Sequence, residues 1–361
     1  MASIPGPSSG ILVKAVGAFA SDKPLEPLEV RRRTPDNDDV LIEIDYCGVC
    51  HSDIHSARNE WGGAEYPLVP GHEIVGRVLS CGKNVNSFKP GDKVGVGVYV
   101  DSCRSCRHCK SKCEEYCEGA EKLILTYNSP YHKDGGARTL GGYSDKIVVD
   151  QRYIFKLPGN LPMHETAPLL CAGITVYSPL KRVGVGKGTK VAVAGLGGLG
   201  HMAVKFAVAM GAECTVLSRS EKKKEMALKM GAKGYIATDN AQQMKAASRT
   251  FNVIIDTICA DHNVNALLDL LDVGGTIALV GLPANDLKVN AFLIATKRLN
   301  VTGSIIGSLD EIKKMLQLCS DKNITCQVEL IRPDEVNEAY ERAVRGDVFF
   351  RFVIDMAHLR K

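Results

Sequence analysis

Thiol and imidazole side chains gather in a few short stretches of this chain, and they define the chemistry it can perform. Cys103, Cys106, Cys109 and Cys117 read C-x-x-C-x-x-C-x7-C. So dense a thiol spacing suits a tetrahedral four-cysteine zinc, closed to water and therefore structural. Such a metal staples a loop too polar to fold on its own. Disulfides and an iron–sulfur cluster are the competing readings. Cys113 lies inside the same loop but off the spacing.

Three further segments carry ligand-type residues. They are Cys47-Gly-Val-Cys50-His51-Ser52-Asp53-Ile-His55, Val69-Pro-Gly71-His72-Glu73-Ile-Val-Gly76 and Leu169-Leu-Cys171-Ala-Gly173. Each has an ordinary explanation when taken alone. A cysteine among apolar residues, such as Cys171, is more often a core thiol, and a lone histidine more often a satisfied polar residue. In combination they offer two thiolates and an imidazole with one position left open, which makes a Lewis-acid zinc site.

A third kind of chemistry is written in glycine. Val191-Ala-Val-Ala194 runs directly into Gly195-Leu-Gly197-Gly198-Leu199-Gly200-His201, a G-x-G-x-x-G match between an apolar strand and a helix. The first glycine permits a tight turn, the second lets the backbone approach a pyrophosphate, and the third lets helix and sheet pack closely. The helix N-terminus then offers free N–H groups to phosphate. Such a match can be only a tight turn, but the strand, helix and later strands supply the context of a dinucleotide site. After the next strand come Ser218-Arg219-Ser220-Glu221-Lys222-Lys223. An NAD site places an acid at this strand end to bind the ribose 2′-hydroxyl. Ser218 stands there instead, with Arg219, Ser220 and Lys223 available to a 2′-phosphate, so NADP is expected over NAD. Ser218 and Glu221 also have the spacing of a capping box for the next helix.

These sites need a scaffold, and the whole chain supplies one. It has 361 residues, 45% hydrophobic and 24% charged, which suits about two globular domains. A net charge of +4 spread along the chain is no argument for nucleic acid or acidic lipid. Met1 to Gly10 is Pro/Ser/Gly-rich with no apolar core of signal-peptide length, and no stretch has the apolar length of a membrane span. Cytoplasm is the expected location, and there 13 cysteines point to metal rather than disulfides.

Val40–Asp45 alternates apolar and polar residues, and glycines recur from Gly71 to Gly97, so the first part is expected to form a small irregular β-barrel. From Lys190 onward, strands are expected at Val191–Ala194, Cys214–Leu217, Tyr235–Ala237, Val253–Asp256, Thr276–Val280 and Val301–Ile305. Helices are expected between them, at His201–Met210, Glu221–Met230 and Asn263–Leu271. That alternation is an α/β fold with a doubly wound parallel sheet. From Leu309, two more helices and a strand Phe349–Asp355 are expected to return to the first domain.

The stretch Gly71 to Val85 fits G-H-E-x2-G-x5-G-x2-V, the zinc alcohol dehydrogenase signature. With Gly-Val-Cys50-His-Ser-Asp, Tyr66-Pro-Leu-Val-Pro-Gly-His72-Glu, the Cys103–Cys117 lobe, the Gly195–His201 turn and Gly303-Ser-Ile-Ile-Gly307-Ser308, the chain resembles medium-chain zinc-containing alcohol dehydrogenases of the cinnamyl alcohol dehydrogenase-like branch. The resemblance runs from about Val13 to Asp355. It implies a GroES-like β-barrel catalytic domain, residues 1–170 with 308–361 returning to it, and a Rossmann NADP-binding domain, residues 171–307. It implies two zinc ions per chain and NADP(H), with an aldehyde or primary alcohol as the small-molecule substrate.

Residue by residue, Cys50, His72 and Cys171 match the catalytic zinc ligands, and Glu73 an alternate fourth ligand. Ser52 matches the hydroxyl that relays a proton, and His55 the next member, reached through the cofactor ribose. His51 matches a residue near the pyrophosphate, and Glu60 an acid supporting that histidine. Ser218, Arg219, Ser220 and Lys223 match the 2′-phosphate segment. Trp61 matches a pocket wall. Lignin-directed relatives often carry a Trp where Leu125 stands, ahead of Tyr127, which favours a broader aldehyde reductase. The branch also implies a homodimer joined through the Val301–Ile305 strand. Other readings are a superfamily reductase acting on a different carbonyl, C=C or C=N bond, which lacks the Cys and His ligands if zinc-free, and a non-catalytic zinc-binding protein on a dehydrogenase scaffold.

Overall fold

The fold is described by a computed structural model covering residues 10–120, 122–283 and 285–360. The reading of the Pro/Ser/Gly-rich start, up to Ser9, lies outside the described residues. The chain forms two compact units, Met1–Cys171 with Ser308–Lys361, and Ala172–Gly307.

In the first unit the strand Asp39–Gly48 is the organising element. Val40, Ile42 and Ile44 are fully buried while Leu41, Glu43 and Asp45 between them are half-buried, as alternation requires. It lies inside a seven-stranded sheet ordered Val328–Ile331, Arg351–Asp355, Asp39–Gly48, Ile74–Cys81, Lys93–Val96 and Ile154–Lys156, with Lys146–Asp150 also pairing to it. Two of these pairings matter most for the site. Cys47 stands opposite Ile74, which brings the end of one strand beside the start of the next. Gly48 stands opposite Val353, which brings in the C-terminal segment.

The late segment has the expected helices, Leu309–Lys322 and Val336–Arg345, and the expected strand in a shorter form, Arg351–Asp355. Phe350 has φ +70°, which breaks the extended backbone before Arg351. The strand Val328–Ile331 was not expected. It is four residues long and mostly half-exposed, so its pattern carries little signal.

The second unit is a six-stranded parallel sheet ordered Gly234–Ala237, Glu213–Ser218, Lys190–Ala194, Phe251–Asp256, Leu271–Leu279, Asn300–Gly303. In chain order this is 3-2-1-4-5-6, the doubly wound Rossmann arrangement. All six expected strands are present, with shifted ends. Leu271–Leu279 begins earlier than expected, and Asn300–Gly303 stops two residues before Ile305. The expected helix Glu221–Met230 is a 3₁₀ turn, Glu221–Lys223, followed by a short helix, Lys224–Lys229. The Ser218–Glu221 capping box does not form, because Ser218 still belongs to the strand and Glu221 turns to Gln243 at 3.1 Å and Lys224 at 3.0 Å.

The glycine turn is held by Gly195 N–H donating to the Leu217 carbonyl at 2.9 Å, and the helix Gly200–Ala209 starts at once. A Cβ on Gly200 would lie 2.0 Å from the Gly195 carbonyl oxygen. Overpacking against a backbone atom cannot be relieved by a rotamer change. Gly200→Ala is therefore expected to destabilise the protein by about 1–3 kcal/mol, measured by chemical denaturation. An unchanged midpoint would show that the turn can open without cost.

Candidate functional site

The sheet delivers the ligand-type residues to one place. The strand Asp39–Gly48 ends just before Cys50, which opens the short helix His51–Ala57. His72 and Glu73 directly precede the paired strand Ile74–Cys81, and Gly48 N–H donates to the Glu73 carbonyl at 2.9 Å. Cys171 follows the turn Ala167–Leu170, whose four residues are all buried. One ligand atom from each of Cys50, His72, Glu73 and Cys171 falls within 4.8 Å of the others. The Cys50 and Cys171 sulfurs are 3.9 Å apart. The neighbouring Cys171 sulfur, against the effect of burial and helped by Arg351 and His72, holds the Cys50 thiol well below its usual range.

Asp53 orients this cluster. Its carboxylate accepts Cys50 N–H at 2.8 Å, Gly71 N–H at 3.1 Å and the Tyr143 hydroxyl at 3.2 Å. It also faces His72 Nδ1 at 3.1 Å, which places the proton on Nδ1 and leaves the Nε2 lone pair directed to the cluster. His72 Nε2 and Glu73 Oε2 are buried and have no hydrogen-bond partner among the described residues. Two orphaned buried acceptors beside two sulfurs form a donor set suited to zinc. The other Glu73 oxygen pairs with Arg351. A Cβ on Gly48 would collide with Glu73 Oε2 at 1.9 Å, so only glycine leaves the carboxylate room.

Neither Asp53 nor Arg351 was singled out from sequence. Asp53 sits three residues after Cys50, a helix-capping spacing, and that signal was available. Arg351 is 278 residues from Glu73 and gave none.

Ser52 Oγ lies 3.6 Å from Cys50 Sγ. His55 sits on the same helix, its Nδ1 paired with Glu60 and its ring stacked on Trp61 with centroids 4.8 Å apart. Glu60 thus supports His55 rather than His51, because the chain turns back after the helix and Glu60 N–H donates to the His55 carbonyl. The His51 and His55 rings are 6.3 Å apart. Trp61 is 55% exposed and Leu125 40% exposed, whereas Tyr127 is buried with its ring 5.7 Å from that of His72. Tyr127, not Leu125, is the residue this segment sets beside a ligand-type side chain.

The second cluster is the cysteine lobe, where the four sulfurs of Cys103, Cys106, Cys109 and Cys117 fall within 4.8 Å of one another. Backbone N–H groups point at them. Cys103 N–H lies 3.3 Å from Cys117 Sγ, Cys106 N–H 3.3 Å from Cys103 Sγ, and Cys109 N–H 3.5 Å from Cys106 Sγ. The N–H groups of Ser105 and Cys106 bring the Cys103 thiol down to about 6, while burial pushes Cys109 up to about 12. Sulfurs that accept backbone donors are prepared to be metal thiolates. Cys113 stays out of the cluster, its sulfur near the Ser111 carbonyl.

In the second unit, Gly195 adopts φ +88°, and a Cβ at Gly197 would meet nothing within 4 Å. The turn is therefore open at Gly197, and Gly198 and Leu199 lead into a helix N-terminus, whose free N–H groups suit an anion. Ser218 is half-buried at the strand end, and Arg219 and Ser220 are exposed. Lys223 reaches back to the Leu196 carbonyl of the glycine turn at 2.8 Å.

Known proteins share this combination. Residues 36–159 match the alcohol dehydrogenase GroES-like domain, and residues 198–321 the zinc-binding dehydrogenase family. The aldehyde reductase YahK of Escherichia coli is 48% identical, with 95% of this chain and 98% of that protein covered. A cinnamyl alcohol dehydrogenase of Sorghum bicolor superposes with a TM-score of 0.93 at 43% identity, covering 96% of this chain and 98% of that one. The cinnamyl alcohol dehydrogenase of Helicobacter pylori, solved with NADP(H), superposes with a TM-score of 0.90 at 42% identity, covering 97% and 99%. This chain belongs to the medium-chain zinc-containing alcohol dehydrogenases, in the cinnamyl alcohol dehydrogenase-like branch, with a GroES-like and a Rossmann domain.

The two ligand clusters predict two zinc ions per purified chain. Metal analysis of Cys106→Ser is expected to find one, with lowered stability. Two zinc ions retained in that variant would remove the lobe from the count.

Proposed function

We propose that this chain is an NADP-dependent zinc alcohol dehydrogenase that acts as an aldehyde reductase, with primary alcohol oxidation as the reverse reaction. The observation that carries this reading is the convergence of Cys50, His72, Glu73 and Cys171 within 4.8 Å, with the Ser52 hydroxyl 3.6 Å from Cys50 Sγ. Cys50, His72 and Cys171 are assigned to the catalytic zinc and Glu73 to its alternate ligand. Cys103, Cys106, Cys109 and Cys117 are assigned to the structural zinc. Residues 1–170 with 308–361 make the catalytic domain and 171–307 the NADP-binding domain. Gly195, Gly197, Gly198, Leu199 and Gly200 are assigned to the pyrophosphate, His51 is assigned to cofactor binding, and Ser218, Arg219, Ser220 and Lys223 to the 2′-phosphate. When bound, zinc supplies Lewis-acid polarisation of a carbonyl and NADPH supplies hydride.

The chain's own groups handle the proton. The Ser52 hydroxyl donates to the nascent alkoxide oxygen. His55, held through Nδ1 by Glu60 and by its stack on Trp61, keeps Nε2 available to return that proton from solvent. Buried Tyr127 beside His72 helps keep bulk water from the ligand cluster. The thiol and imidazole ligands argue against a zinc-free reductase or a retired scaffold.

A broad aliphatic and aromatic aldehyde range is assigned, because Leu125 stands in place of a lignin-type Trp. A homodimer through Asn300–Gly303 is proposed, since it is one of the sheet's two edge strands among the described residues and Val301 and Ile305 are 40% and 56% exposed. Among the described residues no helix is long and apolar enough to cross a membrane. Cytoplasm is proposed, as a reducing compartment suits two thiolate sites.

The test is NADPH oxidation across aliphatic, aromatic and cinnamyl-type aldehydes. NADPH is expected to give clearly higher kcat/KM than NADH, and the opposite order overturns the assignment of Ser218, Arg219, Ser220 and Lys223. Ser52→Ala is expected to lower kcat by about 10²–10⁴-fold with zinc content intact. Unchanged turnover removes Ser52 from the proton path.

A further inference from the structure

One partly buried ionisable pair in the second unit has no part in the zinc, relay or phosphate assignments. Asp256 closes the strand Phe251–Asp256 and is 2% exposed, and His262, 13% exposed, lies on the loop that follows. His262 Nδ1 is 2.9 Å from the Ala260 carbonyl oxygen. A carbonyl only accepts, so Nδ1 carries a proton. His262 Nε2 is 2.8 Å from Asp256 Oδ2. A neutral ring with its proton on Nδ1 would turn a lone pair onto the carboxylate. The contact therefore holds one proton between ring and carboxyl, as imidazolium on carboxylate or as imidazole on carboxylic acid.

The other Asp256 oxygen accepts Ile258 N–H at 3.1 Å. One side chain thus ties the loop down directly at residue 258 and, through His262, at residues 260 and 262. The loop in turn touches the glycine turn. Thr257 N–H donates to the Ala194 carbonyl at 3.0 Å, and its hydroxyl lies 2.8 Å from that oxygen and 3.3 Å from the Gly195 carbonyl oxygen. On the far side, Val280 and Gly281 N–H both donate to the Asp256 carbonyl, at 2.9 and 3.0 Å. Lys190–Ala194 and Phe251–Asp256 are neighbours at the point where the sheet order reverses. That is where open parallel sheets take their ligands.

We propose that the Asp256–His262 pair is a positioning latch for the dinucleotide: it fixes the 257–262 loop against the glycine turn and so sets the affinity for NADP(H). The proposal rests on the NADP(H) reading above. His262 and Asp256 act through the loop and touch no reacting atom.

Fluorescence titration of the zinc-loaded full-length protein with NADPH tests it, together with steady-state kinetics. His262→Ala and Asp256→Ala are expected to raise the Kd and the KM for NADPH about tenfold, with kcat at saturating cofactor preserved. Asp256→Asn is the rescue. Its amide can donate to Nε2 of a neutral His262 and still accept from Ile258, so near-parental affinity is expected. His262→Gln keeps a donor toward Asp256 and loses the one toward Ala260, so a smaller loss is expected even if Asp256→Ala does not fold. Unchanged NADPH affinity in His262→Ala and His262→Gln overturns the latch. So does Asp256→Asn binding as weakly as Asp256→Ala, or a fall in kcat with KM unmoved. If the unaltered protein binds no NADPH, the cofactor reading and the latch fall together. Binding that the variants leave untouched overturns the latch alone.

Discussion

The Asp53 carboxylate is fully buried, and the arrangement of the first unit depends on how it is satisfied. Its partners are the Cys50 and Gly71 N–H groups, the Tyr143 hydroxyl and His72 Nδ1. A buried charge without such partners would be strongly unfavourable. These bonds therefore enforce three things together: the start of the helix at Cys50, the turn at Gly71 and the tautomer of His72. The same bonds that make Asp53 tolerable aim a sulfur and an imidazole lone pair at one point. Stability and metal readiness have a single cause here.

Glu73 extends this logic to the far end of the chain. One of its oxygens pairs with Arg351, on the strand Arg351–Asp355, and the other has no hydrogen-bond partner among the described residues, beside the two sulfurs. A buried ion pair is weak evidence for stability in itself. Here it docks the C-terminal strand beside Asp39–Gly48 and holds a carboxylate in reserve next to the ligand cluster. Gly48 completes the fit by leaving out the Cβ that would occupy the same space.

The second unit solves a different problem with backbone. Its parallel strands end together, and the ends of Lys190–Ala194, Phe251–Asp256 and Leu271–Leu279 are laced by Thr257 and Asp256. The open side of Gly197 and the closed approach of Gly200 to Gly195 shape a tight, accessible turn without a charged side chain. Lys223 brings the cationic segment to this turn by binding the Leu196 carbonyl. Its apparent capping alternative, through Ser218 and Glu221, lost to the last residue of the strand and to Gln243.

Local spacing made much of this legible in advance. Cys103 to Cys117, Gly195 to Gly200 and the Cys50 and His72 segments are short-range patterns, and a short-range pattern survives without coordinates. The six parallel strands were legible for the same reason, since they alternate with helical stretches, and inner ones such as Lys190–Ala194 and Phe251–Asp256 are largely buried apolar runs. Their ends were not, because a strand stops where its partner stops, as at Gly303 opposite Leu279. The partners of the site residues were decided only by the fold. Arg351 reaches Glu73 because Gly48 pairs with Val353, and Glu60 turns to His55 because the chain doubles back after the helix. Asp256 meets His262 because a loop folds over a strand end. Residue type and spacing determine what chemistry is available. Which donor satisfies which buried acceptor depends on long-range pairing, and no local pattern encodes it.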